Sequence, residues 1–459
     1  MIGQITSEAL SREGGTQQTW LRIRKLIGTR IFLLILIAFL VRIVLAPLSA
    51  KGWDIYIWWE TGVKIVDQHR IFNFYERNPA MHYALPPVWA FVIAIVYWIY
   101  PTSHWEDDLL FRFLIKFPII LADIAVGFLI YRYVFMLTDD RRKSELASAL
   151  WLFHPLVIFA SSLWGIQDSI PVLFLLSSVY MLFKDHSVKG GLMYGLSIMT
   201  KPYTVFAFPL LLACLLRRRW KKSCIFFVSS FLVIIAISIP FLMSDRPEYF
   251  INAQIMHAYE RVDIAHQTSG IYQLLAVMNT LRIYRIPDFV FRLWIPVTLV
   301  LEVISFIFVY LSNMGYMDKL NIASLLGVLY FVTLSSHVHA TFLVLPIPFL
   351  LADVVAQKRS MTYVLVSVIP FAYYFAFPSF FTVSPLSNWE RILRNFMETS
   401  FGDLTYGIVL NIVAPVAFFV GYVVYIIQLL RVVFKSAYLE LRLRKIKGLI
   451  KHDMPHART

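Results

Sequence analysis

Three stretches hold residues whose types and spacing can do chemistry at a membrane surface. Asp54 stands in WDIYIWW, between Trp53 and the aromatic run Tyr56, Trp58 and Trp59. A carboxylate there can take a proton from a hydroxyl, which makes Asp54 the first candidate for a general base. Lys201 stands in IMTKPY, between two apolar segments each shorter than a normal span. A lysine at the tip of such a hairpin lies within the membrane profile and needs an anion, and a phosphate would serve. His337 and His339 alternate in SSHVHA, so they face one way only if that stretch is extended. They are a weak zinc signal and read better as donors to a phosphate or a sugar hydroxyl.

Each of these has a plainer reading. Asp54 also fits a solvated carboxylate just past a span, with its tryptophans forming an interfacial belt. The run Glu106-Asp107-Asp108 fits a solvated helix start, and would bind a metal only with ligands from another loop. Asp168, followed by Ser169 and Pro171, fits a helix cap as well as a substrate contact. Asp123 and Glu302 fall inside apolar runs. Asp123 is expected to pair with a neighbouring helix, whereas Glu302 has no evident partner.

The elements that must position these residues are membrane spans. The 459 residues are 59% hydrophobic and 15% charged, with a mean hydropathy of +0.68. Apolar runs long enough to cross a bilayer recur along the chain, so the fold class is an all-α polytopic membrane protein. The formal charge of +14 comes from basic residues in short loops between spans. That is the pattern of cytoplasmic loops against an anionic leaflet, and nucleic-acid binding is excluded on this ground. Cys214 and Cys224 flank the basic run RRRWKK, so neither a disulfide nor a paired-cysteine metal site is expected. The first apolar run lacks a small-residue cleavage site and reads as a retained span.

Charge bias then sets a topology of about twelve spans with both ends in the cytoplasm. Residues 1–30 form a cytoplasmic N-terminus and residues 31–242 a core of seven spans. Within that core, residues 48–112 form an outer loop whose apolar piece, residues 88–100, lies in the interface. A second span follows at 113–136, a third at 146–160 and a fourth at 170–183. Residues 190–199 and 203–216 form the hairpin tipped by Lys201. Residues 243–287 are a further outer loop, holding His257, Glu260, Asp263 and His266. Residues 288–430 hold spans eight to twelve, with spans eight and nine joined near Asp318-Lys319. Residues 431–459 are a basic tail with the spacing of an amphipathic helix on the inner leaflet. In this scheme Asp54, Glu106, Asp107, Asp168, Lys201, His337 and His339 all lie on the outer side.

In this order the motifs resemble those of the GT-C class of polyprenyl-phosphate-sugar-dependent glycosyltransferases, in particular the dolichyl-phosphate glucosyl- and mannosyltransferases and their prokaryotic and archaeal homologues. The resemblance is carried by Asp54 in WDIYIWW, by HYALPPVW, by FRFLIKFPIILADI and by HPLVIFASSLWGIQDSI. GGLMYGLSIMTKPY and SSHVHA complete it. Two departures stand out: Trp164-Gly165-Ile166-Gln167 carries an extra residue within the tryptophan-glycine-glutamine order, and Ala340 follows the histidine pair where an acidic residue is frequent.

The resemblance implies a GT-C fold with interfacial helices in the first outer loop, and an inverting transfer of a hexose, mannose or glucose. The donor would be a polyprenyl or dolichyl monophosphate and the acceptor a lipid-linked glycan or glycolipid on the extracytoplasmic face, with no metal and no cofactor. It makes Asp54 the base and assigns the donor phosphate to Lys201, Arg112, Lys116 and His339. Sugar or acceptor contacts would come from Asp168, Gln167, Trp164, His337, Glu106, Asp107 and Tyr83. The membrane would be the plasma membrane of a prokaryote or the endoplasmic reticulum. A transporter or flippase, and a polymerase or ligase for lipid-linked saccharides, are the alternatives; absence of internal repeats weighs against a transporter.

Overall fold

The computed structural model describes residues 30–49, 52–76, 83–105, 108–259, 275, 287–335, 338, 340–375, 400–401 and 404–452. Among these residues the chain is helical but for one hairpin, in which Ser400 faces Thr405 and Phe401 faces Leu404.

The segment that follows the first helix is built on its own aromatic core. Helix α1 (Arg30–Leu45) runs into a 3₁₀ turn at Ala46–Leu48, where Pro47 cannot continue the ladder. Helix α2 (Gly52–Val66) follows and carries Asp54 in its first turn. Helix α3 (Pro87–Ile99) starts with proline at its first position, where a missing N–H costs nothing. Trp58 of α2 meets Trp89 of α3 edge-on at 5.5 Å, and the Trp59 indole donates to the Thr102 carbonyl at 2.7 Å. Phe74, Tyr75, Tyr83, Phe241 and Phe250 complete this smaller core.

The larger core draws on most of the helices that follow, together with Ala38 of α1. Helix α4 (Leu109–Thr138) is 30 residues long; Asp108 caps it by accepting from the Phe111 N–H at 2.9 Å. Asp108 therefore supplies the helix start expected of its acidic run, while Glu106 and Asp107 lie outside the described residues. Burial raises the Asp108 pKa, but hydrogen bonds from Phe111, Thr102, Tyr100 and Leu110 outweigh it and hold the carboxyl below its ordinary value. Helix α5 (Arg141–Leu152), capped by Asp140, ends before His154-Pro155. Helix α6 (Pro155–Ile158) restarts the chain and widens into a π-helical turn, Phe159–Trp164. The two pieces are bent by 46°. The span expected at 146–160 is thus a broken one, because Pro155 removes an N–H and disfavours helix at His154.

The hairpin expected around Lys201 is present. Helices α7 (Ser169–Phe183) and α8 (Ser187–Thr200), a 3₁₀ turn at Pro202–Ala207 and α9 (Phe208–Arg218) follow in order. Helix α10 (Trp220–Leu242) packs along α8. A Cβ at Gly191 would sit 2.6 Å from the Phe226 carbonyl, and one at Gly195 2.6 Å from that of Ser230. This small-xxx-small face is what lets the two backbones touch. Helix α11 (Pro247–Tyr259) lies in the next connection.

The C-terminal half contains α12 (Trp294–Leu311), α13 (Tyr316–Leu334), α14 (Ile347–Ala356), α15 (Thr362–Phe375) and α16 (Tyr406–His452). Helix α13 is buried along nearly its whole length, whereas α10 and α12 expose rows of Phe, Leu, Ile and Val. The turn between α12 and α13 spans residues 312–315, near Asp318 and Lys319 as expected, and both stand in the first turn of α13. Helix α16 is continuous for 47 residues, where a span and a separate tail helix were expected. By length and composition, six helices among the described residues can cross a membrane, or seven with the bent pair. Apolar helices at Pro87–Ile99, Ser169–Phe183 and Thr341–Ala356 are shorter. The protein is a multi-pass membrane protein, and several of the twelve expected spans are short or broken helices.

Candidate active site

Asp54 is half-buried in the first turn of α2, where free N–H groups favour a negative charge. The Trp164 indole N–H donates to its Oδ2 at 2.5 Å. Trp164 is buried and meets the Phe159 ring edge-on at 6.2 Å. It stands at the last position of the π-helical turn, a form of helix that recurs at functional sites. Gly165 follows in the left-handed region, φ +87°, and its N–H bonds back to the Ala160 carbonyl. The extra residue between Trp164 and Gln167 falls at this bend.

Four residues on, Asp168 stands before α7 but makes no capping bond. Its Oδ1 pairs with the Lys201 ammonium, and both side chains are buried. Of the two readings of Asp168, the cap is therefore replaced by an ion pair. The anion that Lys201 needs is supplied first by this carboxylate. Lys201 follows α8 in an extended conformation, ahead of Pro202. Its ammonium lies 4.2 Å from the Phe342 ring centre and 5.7 Å from that of Tyr203, and the Asp54 charge acts on it as well. Asp54, Trp164, Asp168 and Lys201 thus form one continuous group joined through residues 164–168.

Gln167 lies between the two acidic positions, 1% exposed. Neither of its amide atoms, nor Asp168 Oδ2, has a hydrogen-bond partner among the described residues. Such atoms are rare in folded proteins and are explained by a ligand or water more readily than by packing.

Lys116 sits deeper. Its ammonium donates to the carbonyls of Ala46 at 2.7 Å, Ser162 at 2.9 Å and Leu163 at 3.1 Å, and to that of Ser49. Where a phosphate was expected, the structure places main-chain oxygens. Arg112, one turn earlier on α4, is also buried, and its charge acts on Lys116. Tyr83 is buried in the smaller core and donates to the Pro86 carbonyl at 2.9 Å, so it shapes the Pro-Pro corner. Glu106, Asp107, His337 and His339 lie outside the described residues, as do Glu260, Asp263, His266 and the side chain of His257. Phe342, three residues past His339, is the part of that segment that reaches Lys201.

A second ion pair supports the group from behind. Arg42 Nε of α1 bonds Asp123 Oδ2 at 2.9 Å, and Arg42 also donates to the Leu152 carbonyl at 2.8 Å. The same Asp123 carboxylate accepts from the Ser169 hydroxyl, next to Asp168. The pairing expected of Asp123 is present. Arg42 went unnoticed in the sequence, although an arginine within LVRIVL is itself a signal. Glu302 is buried, and its Oε1 has no partner among the described residues.

The chain resembles known proteins at three levels. Curated relatives include GPI mannosyltransferase 1 of Kluyveromyces lactis, 27% identical over 170 residues, or 36% of this chain and 41% of the relative. GPI mannosyltransferase 1 of Candida albicans is 29% identical over 101 residues, 21% of this chain and 25% of the relative. The chain thus spans less than half the length of these relatives. Crystal structures of ArnT from Cupriavidus metallidurans, bound to undecaprenyl phosphate and in the apo state, align at 17% and 16% identity. Each alignment covers 89% of this chain and 73% of ArnT with a TM-score of 0.49. The family model of Glycosyltransferase family 87 matches residues 83–336. That match takes in more than half of the 459 residues, among them Lys116, Trp164, Asp168 and Lys201, and the chain belongs to glycosyltransferase family 87.

Proposed function

We propose that this glycosyltransferase moves a hexose from a polyprenyl or dolichyl monophosphate to a hydroxyl of a lipid-linked glycan or glycolipid, on the extracytoplasmic face. Mannose is favoured over glucose by the names of the curated relatives. The observation that supports this reading best is the joining of Asp54 to Lys201 through Trp164 and Asp168.

In this reading the Trp164 indole orients the Asp54 carboxylate, which takes the acceptor's hydroxyl proton as that oxygen attacks the anomeric carbon. The bond from that carbon to the phosphate oxygen breaks, and the polyprenyl monophosphate leaves with both bonding electrons. Attack opposite the leaving group inverts the anomeric centre. Negative charge gathers on the phosphate, so a nearby cation lowers the barrier. An ammonium has three donors, and Asp168 takes one of those on Lys201, leaving it able to serve a phosphate. Gln167, with donor and acceptor in one group, suits a pair of sugar hydroxyls. The polyprenyl tail requires an apolar surface, which explains a membrane protein as the carrier of this chemistry.

The test is transfer from labelled polyprenyl-phosphate mannose or glucose by the purified protein in liposomes. Asp54→Asn is expected to lower turnover by about 10²–10⁴-fold, the range of a lost general base, while the donor still binds. An Asn variant that turns over normally would remove Asp54 from the reaction.

A further inference from the structure

Two stretches must meet for Asp54 to touch Trp164: the exit from α1, residues 46–49, and the π-helical turn, residues 159–164. Both present backbone carbonyls in the closing turn of a helical segment, where intrahelical N–H groups run out and partial negative charge collects. Lys116 enters this space from the side of α4. Its ammonium binds two carbonyls from each stretch, those of Ala46 and Ser49 and those of Ser162 and Leu163. Its side chain is fully buried. Three ammonium hydrogens are thus distributed over four acceptors. Gly165 makes the passage possible, because a Cβ there would lie 2.7 Å from Lys116 Cε and 2.9 Å from its Cγ.

Resting on the reading of Asp54 as the base, we propose that Lys116 is a positioning residue that holds the Asp54–Trp164 hydrogen bond, and is not a ligand of the donor phosphate. Ser49 lies five residues before Asp54 and Leu163 one residue before Trp164, so the ammonium fixes the backbone on both sides of that bond. A phosphate ligand must keep donors open to the substrate. A positioning residue must spend them on the chain, as Lys116 does.

The experiment uses the full chain in liposomes and compares wild type, Lys116→Met and Gly165→Ala. The methionine keeps the side-chain volume and removes the charge, whereas the alanine keeps the charge and displaces it. Both are expected to lower kcat by about 100-fold, as an ångström of misplacement does, with the KM for polyprenyl-phosphate hexose within about threefold of wild type. Hydrogen exchange read by mass spectrometry is expected to quicken by about tenfold in residues 46–54 and in 159–166 together. A rise in donor KM at unchanged kcat would mean a phosphate ligand and overturn the proposal. Unchanged exchange in either segment would overturn it equally. Should Lys116→Met fail to fold, the Gly165→Ala comparison decides. Should the wild type transfer no hexose at all, the proposed donor falls, and the exchange comparison still decides whether Lys116 joins the two stretches.

Discussion

Lys116 and Lys201 are both buried lysines, and their charges are accommodated in opposite ways. Lys201 meets a single carboxylate, Asp168, and the faces of Phe342 and Tyr203. Lys116 meets main-chain oxygens on two sides. A carboxylate partner is a side chain that can turn aside or exchange for another anion. Carbonyls at two helix ends can do neither. The lesson is that the partner, more than burial or charge, separates a lysine suited to a passing phosphate from one suited to fixing the backbone.

The contrast is broken most forcefully at the carboxylate. Lys201→Met leaves Asp168 as an unpaired buried charge and is expected to destabilise by about 3–5 kcal/mol. Adding Asp168→Asn should restore most of that, as read from thermal unfolding in detergent; equal losses in the single and double variants would mean that the two charges are not coupled. Lys116→Met strands carbonyls but no charge, and a smaller loss of about 1–3 kcal/mol is expected. No side-chain replacement at a partner should rescue it, because the partners are backbone.

An exposed pair completes the scale. Lys222, at the start of α10, bonds Asp185 in the turn after α7, and this bond chiefly holds the Asp185 carboxyl below its ordinary value. Asp185 has φ +65°, which asparagine also tolerates. Asp185→Asn is expected to cost less than about 1 kcal/mol at neutral pH. Because the folded pKa is depressed, that stability is present above the ordinary carboxylate range, about pH 4. It fades as pH falls through the lower folded value. Unfolding of wild type and variant should therefore converge in acid; a gap that widens in acid would mean that another group is responsible.

Sequence reading reaches what side chains announce. Asp54 among tryptophans, the lysine ahead of Pro202 and the charge in the middle of α4 each stand out against their surroundings, and the helices carrying them lie where the apolar runs end. It does not reach what the backbone does. The carbonyls around Lys116 carry no residue signature, so a lysine in the first turns of a span looks available to a phosphate. The break at His154-Pro155 sits inside an apolar run that reads as one span. The short segments on either side of Lys201, by contrast, are legible from their length, and α8 and α9 stop after 14 and 11 residues. The Asp168–Lys201 pair is separated by 33 positions, and only the return of α8 along α7 brings it together.

The unbroken last helix has a mechanical consequence. At 1.5 Å per residue, the 47 residues of Tyr406–His452 make a rod of about 70 Å. A bilayer with its headgroups is about 40–45 Å thick. Glu440 bonds Arg217 at the end of α9 at 3.0 Å, which braces the rod near one end. Some 25 Å of stiff helix, with Arg442, Arg444, Lys445, Lys447 and Lys451 near its end, must then lie outside or along the membrane, so a fluorophore placed after His452 would report the tilt of this rod against the surface.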